Sequence, residues 1–122
     1  AAVCDFKIES PSKSKIKKTN TKTTLNLVPT KDILAYMGSK KKNQFLLGFA
    51  LETDNEYENA KIKIKEKNLN AIILNSLNDK GAGFSTNTNK ISFIKPDHST
   101  KKFPLQSKLD CAKSIFEQIL SP

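Results

Sequence analysis

Residues 45–74, FLLGFALETDNEYENAKIKIKEKNLNAIIL, decide the fold of this chain. They contain two continuous apolar runs, FLLGFAL at 45–51 and AIIL at 71–74. Such runs are typical of parallel strands, because a parallel sheet is usually covered on both faces. The first run ends in the polar cluster ETDN at 52–55, whose side chains are suited to capping a helix that follows.

The stretch between the two runs, residues 56–69, is predicted to be a helix. Acidic residues crowd its start and lysines its end, which is the order that the helix dipole favours. Tyr57, Ala60 and Ile64 would share one apolar face, although residues 61–65 also alternate as a strand would. Strand, helix and strand over about 30 residues form a βαβ unit, whose crossover is expected to be right-handed.

The flanking segments extend this unit into one α/β domain over residues 1–122. Residues 1–6 are interpreted as the end of a further buried strand, and residues 7–22 and 75–89 as polar loops. We expect strands at 23–28, 91–94 and 102–105, and helices at 30–40 and 107–120. In the first of these helices, Thr30 would be the N-cap and Ile33, Leu34 and Met37 would point inward. The predicted fold class is α/β, a three-layer Rossmann-like parallel sheet with flanking helices.

The charge of the chain is strongly positive. Its 122 residues carry a formal net charge of +9, and all of the basic residues are lysines. This charge indicates an anionic partner, the alternative being that most lysines simply solvate the surface. Arginine is absent and aromatic residues are few, so base-specific DNA recognition and single-strand stacking are disfavoured. Phosphate binding is not disfavoured by the absence of arginine, because lysine serves well as a point charge.

Several classes of function lack their sequence signatures. No apolar run approaches the roughly 18 residues that cross a membrane, and no leader of charged then apolar residues is visible, so we expect a cytoplasmic protein. Cys4 and Cys111 have no partner at metal-ligand spacing and are interpreted as free buried thiols. His98, the single histidine, is interpreted as a solvated turn residue.

The carboxyl ends of the predicted strands offer the best candidate site, because in an open α/β sheet they gather around one crevice. Lys15 from the first polar loop could reach this crevice, as could Lys63 and Lys67, which would lie one helical turn apart. Several ammonium groups at one crevice suit a triphosphate, whose charge they neutralise during phosphoryl or nucleotidyl transfer. Each lysine alone is better explained as a surface charge. The residues at the strand ends themselves are Asp5, Phe6, residues 29–34, residues 49–54, Asn75 and Ser76.

A set of short motifs carries a family resemblance over nearly the whole chain. The motifs are AAVCDF at 1–6, KIKK at 15–18, DIL at 32–34, GFALET at 48–53, Ala60 with Lys63 and Lys67, and Asn75 followed by Gly83-Phe84 and Asn89. In this order and spacing they resemble the carboxyl-terminal part of phosphopantothenoylcysteine synthetase (phosphopantothenate–cysteine ligase). That enzyme is commonly the second half of a bifunctional flavoprotein of coenzyme A biosynthesis.

The resemblance implies a CTP-dependent reaction in two steps. The carboxylate of 4′-phosphopantothenate is activated by CTP as an acyl-cytidylate with release of pyrophosphate, and the amine of cysteine then displaces CMP. It further implies that Lys15 is the catalytic lysine of a closing loop, and that Asp5 lies at the nucleotide and is a candidate ligand for its Mg²⁺. The other implied nucleotide-site residues are Lys31, Asp32, Ile33, Leu34, Phe49, Lys63 and Lys67. A homodimer is implied too, paired through a small antiparallel element that contains the strand at 23–28.

The chain departs from the family pattern at three places. Lys31 stands where the family usually has proline, and Asn75-Ser76 where it often has Asn-Asp. The family's amino-terminal segment, with its glycine-rich phosphate-binding turn, is not among these residues, so this piece alone is expected to bind nucleotide without completing the reaction. Other readings stay open: a non-enzymatic basic α/β module that binds RNA or another polyanion, or a ligase that uses ATP. FMN would enter only with a fused decarboxylase half.

Overall fold

The computed structural model describes residues 4–18, 20–52, 54–76 and 86–120 of the chain. Contacts divide the chain into two compact units, residues 1–33 and residues 34–122. The elements, in chain order, are β1 (Phe6–Ile8), β2 (Leu27–Pro29), α1 (Ile33–Lys40), β3 (Leu47–Glu52), α2 (Glu56–Glu66), β4 (Ala71–Ser76), β5 (Thr88–Asn89), β6 (Ile91–Ile94), β7 (Thr100–Lys102), β8 (Gln106–Ser107) and α3 (Lys108–Leu120). The strands β1 and β2 belong to the first unit. The helix α1 begins at Ile33, the last residue of the first unit, and its other residues belong to the second unit.

The first unit is a small antiparallel hairpin. β1 pairs with β2 so that Phe6 lies opposite Pro29. Thr30 closes the end of the hairpin, because its backbone N–H donates to the carbonyl of Asp5 at 2.8 Å and its hydroxyl donates to the carbonyl of Cys4. None of the described residues in 4–33 is buried, so this unit contains no apolar core of its own.

The second unit is built on a four-stranded sheet with the order β3-β4-β6-β7. β3 and β4 are parallel, with Leu47 opposite Ala71 and Glu52 opposite Ser76, and α2 connects them. β6 is antiparallel to β4, and β7 is antiparallel to β6. A separate antiparallel pair, β5 with β8, leads directly into α3.

Apolar clusters cover both faces of the sheet. One cluster joins Ile72 of β4 to Ile64 of α2, and the other joins Ile73 of β4 to Cys111 and Ile115 of α3. Neighbouring residues of β4 enter different clusters because successive side chains of a strand point to opposite faces. The sheet is therefore the middle of three layers.

Two glycines allow close contacts around β3. A Cβ atom on Gly38 of α1 would lie 1.9 Å from the carbonyl oxygen of Lys67, and one on Gly48 of β3 would lie 2.6 Å from Cδ1 of Leu69. Both distances are shorter than any van der Waals contact, so a larger residue would force the backbone or core apart. Asn68 strengthens the first contact by donating from Nδ2 to the carbonyl of Gly38 at 3.1 Å.

The βαβ unit at 45–74, the strand at 91–94, the final helix and the three-layer arrangement are confirmed. The prediction of a parallel sheet is wrong beyond β3 and β4, so the fold is α/β with a mixed sheet. β6 and β7 are joined by the short turn at 95–99, and a connection of that length permits only antiparallel pairing. Within the described residues, none of the three helices has the length and apolar character that a membrane crossing requires.

Several local predictions were wrong in detail. The strand expected at 23–28 is β2, and the strand expected at 102–105 is β7. Residues 7 and 8 belong to β1 rather than to a loop, and Thr30 ties the hairpin instead of capping α1. The residues whose burial was overestimated are all exposed and include Cys4, Phe6, Ile33, Met37, Phe45, Phe49 and Leu51. The predictions for residues 1–3 and 77–85 lie outside the described residues.

Candidate functional site

In the first unit, the hairpin brings Asp5 next to the segment that carries Lys31 and Asp32. The bond from the Thr30 N–H to the Asp5 carbonyl fixes this approach, because residues 31 and 32 follow directly from it. The side chains of Asp5, Lys31 and Asp32 are exposed. An acid and a lysine thus stand at the same end of the hairpin, where an anionic ligand or its counterion can contact them.

Lys15 lies in the chain segment that connects β1 to β2. The described residues of 9–26 form no helix or strand, and all of them are exposed. A lysine on such a segment is fully hydrated unless a ligand or a closing segment covers it. The predicted role of Lys15 on a closing loop requires this kind of placement.

In the second unit, a polar network lies at the carboxyl end of β3. Lys63 of α2 forms an ion pair with Glu52. Nδ2 of Asn59 donates to the other carboxylate oxygen of Glu52 at 3.2 Å and to the carbonyl of Asp54 at 3.0 Å. The side chain of Glu52 is 13% exposed, whereas that of Lys63 is 40% exposed and faces solvent on one side. The network holds the Lys63 ammonium at the end of the strand.

The same contacts set the charge of Glu52. The hydrogen bond from Lys63 lowers the pKa of this carboxyl below its ordinary value of 4.5; burial opposes the shift and the Asn59 bond adds to it. Glu52 is therefore an ionised carboxylate at neutral pH. Its charge orients Lys63 without removing that lysine from solvent.

A pocket of about 240 Å³ lies at the start of α2. Its wall includes Leu74, and its polar groups include the hydroxyls of Tyr57 and Ser92, which lie 3.3 Å apart in a hydrogen bond. The Lys102 ammonium is 5.4 Å from the centre of the Tyr57 ring, within cation–π range. Polar groups predominate in the lining of this small pocket, so it offers hydrogen-bonding groups to a polar ligand.

Two amide side chains near this end of the sheet carry buried oxygens. Within the described ranges, Oδ1 of Asn75 and Oδ1 of Asn89 have no hydrogen-bond partner. Asn75 belongs to β4 and Asn89 to β5. The backbone carbonyl of Asn89, unlike its side-chain oxygen, accepts a hydrogen bond from the Cys111 thiol at 3.6 Å. A buried acceptor without a donor costs free energy, so each oxygen can accept a hydrogen bond from a ligand or water.

The predicted site residues are divided between the units: Asp5, Lys15, Lys31, Asp32 and Ile33 in the first, and Leu34, Phe49, Lys63 and Lys67 in the second. Within the second unit they are not gathered at one point. Leu34 packs on the core, and Phe49 is 69% exposed on β3. The backbone N–H of Lys67 donates to the carbonyl of Lys63 at 3.0 Å, so the two lysines are one turn apart as expected. Lys67 lies at the far end of α2, however, away from Glu52.

Glu52 and Asn59 were not predicted as partners of Lys63, nor were Tyr57 and Lys102 predicted as parts of a pocket. Glu52 had a local signal, since it is the acid that ends an apolar strand and a helix that carries several lysines follows it. The contact between Tyr57 and Lys102 joins residues 45 positions apart in sequence, and no local pattern indicates it.

In the part of the chain that the structure describes, no group of three or more acidic, histidine or cysteine side chains could hold a metal ion. A magnesium ion that arrives with nucleotide phosphates needs only one or two protein carboxylates. The exposed carboxylate of Asp5 fits that smaller requirement.

A βαβ unit in a three-layer mixed sheet, with an acid–lysine pair and a pocket near the carboxyl ends of its two parallel strands, defines an α/β domain with a mixed sheet. A family model described as the DNA/pantothenate metabolism flavoprotein C-terminal domain matches residues 1–121. The chain belongs to this family.

Similar proteins carry two different names. A "Cysteine/Cysteine sulfinic acid decarboxylase" from an unknown prokaryotic organism is 49% identical over 99% of the chain and 34% of that protein. The "Coenzyme A biosynthesis bifunctional protein CoaBC" of Bacillus subtilis (strain 168) is 40% identical over 98% of the chain and 29% of that protein. The CoaBC of Borreliella burgdorferi is 38% identical over 96% and 30%, respectively. The chain thus spans about a third of the length of the curated relatives it matches.

Solved structures agree with the fold. The crystal structure of the C-terminal domain of CoaBC matches with a TM-score of 0.64 and 40% identity, covering 76% of this chain and 44% of that one. The DNA/pantothenate metabolism flavoprotein from Streptococcus pneumoniae matches with a TM-score of 0.68 over 86% of this chain and 44% of that one. At 22% identity, the second match speaks for the fold alone.

Proposed function

We propose that this chain is the nucleotide-binding part of a CTP-dependent ligase that joins 4′-phosphopantothenate to cysteine in coenzyme A biosynthesis. The observation that carries the proposal is the family match over residues 1–121, together with 40% identity to a protein named for coenzyme A biosynthesis. The lysine-rich surface and the polar carboxyl end of β3 support it, since both suit a ligand with several phosphates.

The reaction needs charge stabilisation more than it needs a nucleophilic side chain. In the first step, a carboxylate oxygen of 4′-phosphopantothenate attacks the α-phosphorus of CTP, and the bond to pyrophosphate breaks. In the second, the cysteine nitrogen attacks the acyl carbon, loses a proton, and CMP leaves with the electrons of the acyl–oxygen bond. Negative charge develops on phosphate oxygens in both steps, and ammonium groups stabilise it.

Each predicted residue has a role in this proposal that matches its chemistry. Lys15 contacts the α-phosphate once its segment closes and water is excluded, because a lysine in a dry site stabilises charge far better than a hydrated one. Asp5 supplies a carboxylate for the Mg²⁺ bound to the triphosphate. Lys63 and Lys67 neutralise the remaining phosphates. Phe49 and the segment 31–34 contact the base and ribose.

The first experiment is a calorimetric titration of the intact protein with CTP and Mg²⁺, with UTP and ATP as controls. We expect CTP to bind at least tenfold more tightly than UTP. Preferential binding of ATP would retain the ligase and change its nucleotide. Equal binding of all three nucleotides, with a steep loss of affinity in salt, would support the alternative of a non-enzymatic module for RNA or another polyanion.

A substitution tests the catalytic assignment. Lys15→Gln should reduce formation of 4′-phosphopantothenoylcysteine by about a hundredfold or more, the range for loss of a group that stabilises developing charge. Lys13→Gln removes the same charge from the same exposed segment and should retain near-normal turnover. Normal turnover of the Lys15 variant would remove this lysine from the mechanism.

One relative is named as a cysteine or cysteine sulfinic acid decarboxylase, and that observation favours a second candidate function, a part in the decarboxylation of cysteine or cysteine sulfinic acid. Assaying the intact protein for carbon dioxide release from cysteine or cysteine sulfinic acid, without CTP, separates the two candidates.

The homodimer, paired through the hairpin that includes β2, and the cytoplasmic location are parts of the ligase proposal. Light scattering of the purified protein checks the first of these.

A further inference from the structure

A groove of about 470 Å³ lies in the second unit at the end of the sheet opposite Glu52. Its position follows from the strand directions. Asn70 precedes β4 and donates its backbone N–H to the carbonyl of Leu46, just before β3 begins, and His98 lies in the turn after the antiparallel β6. The polar residues that line the groove are Lys41, Lys61, Lys65, Asn68, Asn70 and His98.

The positive charge of the groove is only partly neutralised. The Lys41 ammonium donates to the carbonyl of Asn68 and, at 3.1 Å, to Oδ1 of Asn70, so both of its partners are uncharged oxygens. Lys61 forms an ion pair with Glu58 at 2.7 Å. Lys65 has no such acid beside it in the described ion pairs. Of these three ammonium groups, Lys61 alone has a carboxylate partner among the described ion pairs.

Lys41 is positioned before any ligand arrives. Two hydrogen bonds to fixed oxygens hold its flexible side chain against the loop after α2. A ligand that binds here therefore costs less side-chain entropy at Lys41 than at a mobile lysine. Its third N–H remains to donate. This differs from an ordinary surface lysine, whose side-chain entropy opposes each new contact.

The imidazole of His98 is not needed for the turn that carries it. His98 has a φ of 68°, and its N–H donates to the carbonyl of Lys95 at 2.9 Å. Glycine and asparagine also adopt this left-handed conformation, so the turn does not require an imidazole at this position. The neighbouring acid, Asp97, accepts hydrogen bonds from the N–H and hydroxyl of Ser99 at 2.9 and 2.6 Å. That carboxylate is therefore engaged within the turn.

We propose that this groove binds a small molecule that carries a diphosphate group. Lys41, Lys65 and an imidazole N–H of His98 donate to the phosphate oxygens, and Ile64 supplies part of an apolar floor. The volume falls in the usual range of small-molecule sites, about 300–1,000 Å³. Lysines suit this ligand as point charges that need no fixed donor plane. The groove is lined by Lys61 and Lys65 of α2, whereas Lys63 of the same helix reaches Glu52, so the proposed site is separate from that ion pair and goes beyond the proposed ligase function.

The test is calorimetric titration of the intact protein with inorganic pyrophosphate and, in a second arm, with ADP. We expect binding of at least one, and the arms distinguish a free diphosphate from a diphosphate ester. Lys65→Gln and His98→Asn should each weaken the binding about fivefold to tenfold, the effect of losing one charge-assisted hydrogen bond at a half-exposed site. Asparagine retains the left-handed turn, so the His98 variant keeps its fold, which a thermal melt checks.

Two controls locate the binding. Lys113→Gln removes one charge from α3, where Lys113 lies 3.5 Å from Asp110, and should change the affinity less than twofold. Equal losses in Lys113→Gln and Lys65→Gln would overturn the proposal in favour of diffuse attraction, as would tighter binding of single-stranded RNA than of either diphosphate. A larger loss in Lys63→Gln than in Lys65→Gln would assign the diphosphate to the site beside Glu52 and also overturn the proposal. So would the absence of measurable heat at millimolar ligand.

Discussion

The hairpin unit and the sheet unit differ in how much apolar surface they bury. The described residues of 4–33 include none that is buried, and the strands β1 and β2 have three residues each. The buried hydrophobic residues that the structure describes all lie between Leu46 and Ile115. A two-stranded hairpin is marginally stable by itself, because it buries little apolar surface against the entropy of ordering its chain. The unit with the predicted catalytic lysine is therefore the one whose opening costs least free energy.

The largest expected difference between the units comes from matched leucines. Leu74 of β4 is 3% exposed and Leu27 of β2 is 57% exposed. Leu74→Ala removes packing from the core and should lower the free energy of unfolding by about 3 kcal/mol, whereas Leu27→Ala should change it by less than about 0.5 kcal/mol. Urea denaturation followed by circular dichroism measures both. Similar losses for the two variants would mean that Leu27 is buried in the protein as it exists.

A smaller difference is expected from two hydroxyl groups. Ser107 accepts the backbone N–H of Asp110 at 3.1 Å and donates to its carboxylate at 2.6 Å, which caps α3. Ser107→Ala should cost about 1 kcal/mol, the usual value for a lost N-cap. Thr30→Ala removes only the tie to Cys4 in the hairpin and should cost less in the same denaturation experiment. The contrast fails if Thr30→Ala is the more damaging change.

The smallest effect concerns two glutamates and depends on pH. Because Lys63 lowers the pKa of Glu52 below 4.5, the ion pair stabilises the fold above that pH, and this contribution is lost as the pH falls through the lowered pKa. Glu52→Gln should cost about 0.5–1 kcal/mol at pH 7, since Lys63 is partly solvated, and progressively less below pH 4.5. Glu9→Gln, at an exposed position of the hairpin unit, should change the free energy of unfolding at pH 7 by less than about 0.5 kcal/mol. Denaturation at pH 7, 5 and 3 checks this, and a constant loss at every pH would contradict it.

The two units also differ in how far the sequence predicted them. Residues 56–66 were correctly predicted as a helix despite their strand-like alternation, because the charge order and the Ala60–Ile64 face are properties of a local segment. Thr30 looked equally suited to a helix N-cap, yet its hydroxyl bonds to the carbonyl of Cys4, 26 positions away. That partner comes from strand pairing, which local pattern does not encode.

The candidate site shows the same division. Lys63 was predicted as a site residue from its spacing with Lys67, but Glu52 and Asn59, which hold it, were not. Phe49 lies in a continuous apolar run and was expected to be covered on both faces, but α3 packs against Ile73 of the neighbouring strand and leaves Phe49 exposed on the edge strand β3. Whether a strand is central or at an edge depends on the other strands of the sheet, so its own residues cannot reveal it.

The sequence by itself determined the βαβ unit, the amphipathic final helix, the basic surface and the family, because each is written in local periodicity, charge or short motifs. The tertiary structure alone decided that the sheet is mixed, that Glu52 holds Lys63, and that Lys41, Lys65 and His98 line one groove. These features join residues far apart along the chain. Their free energies depend on strand order and side-chain geometry, which exist only once the chain has folded.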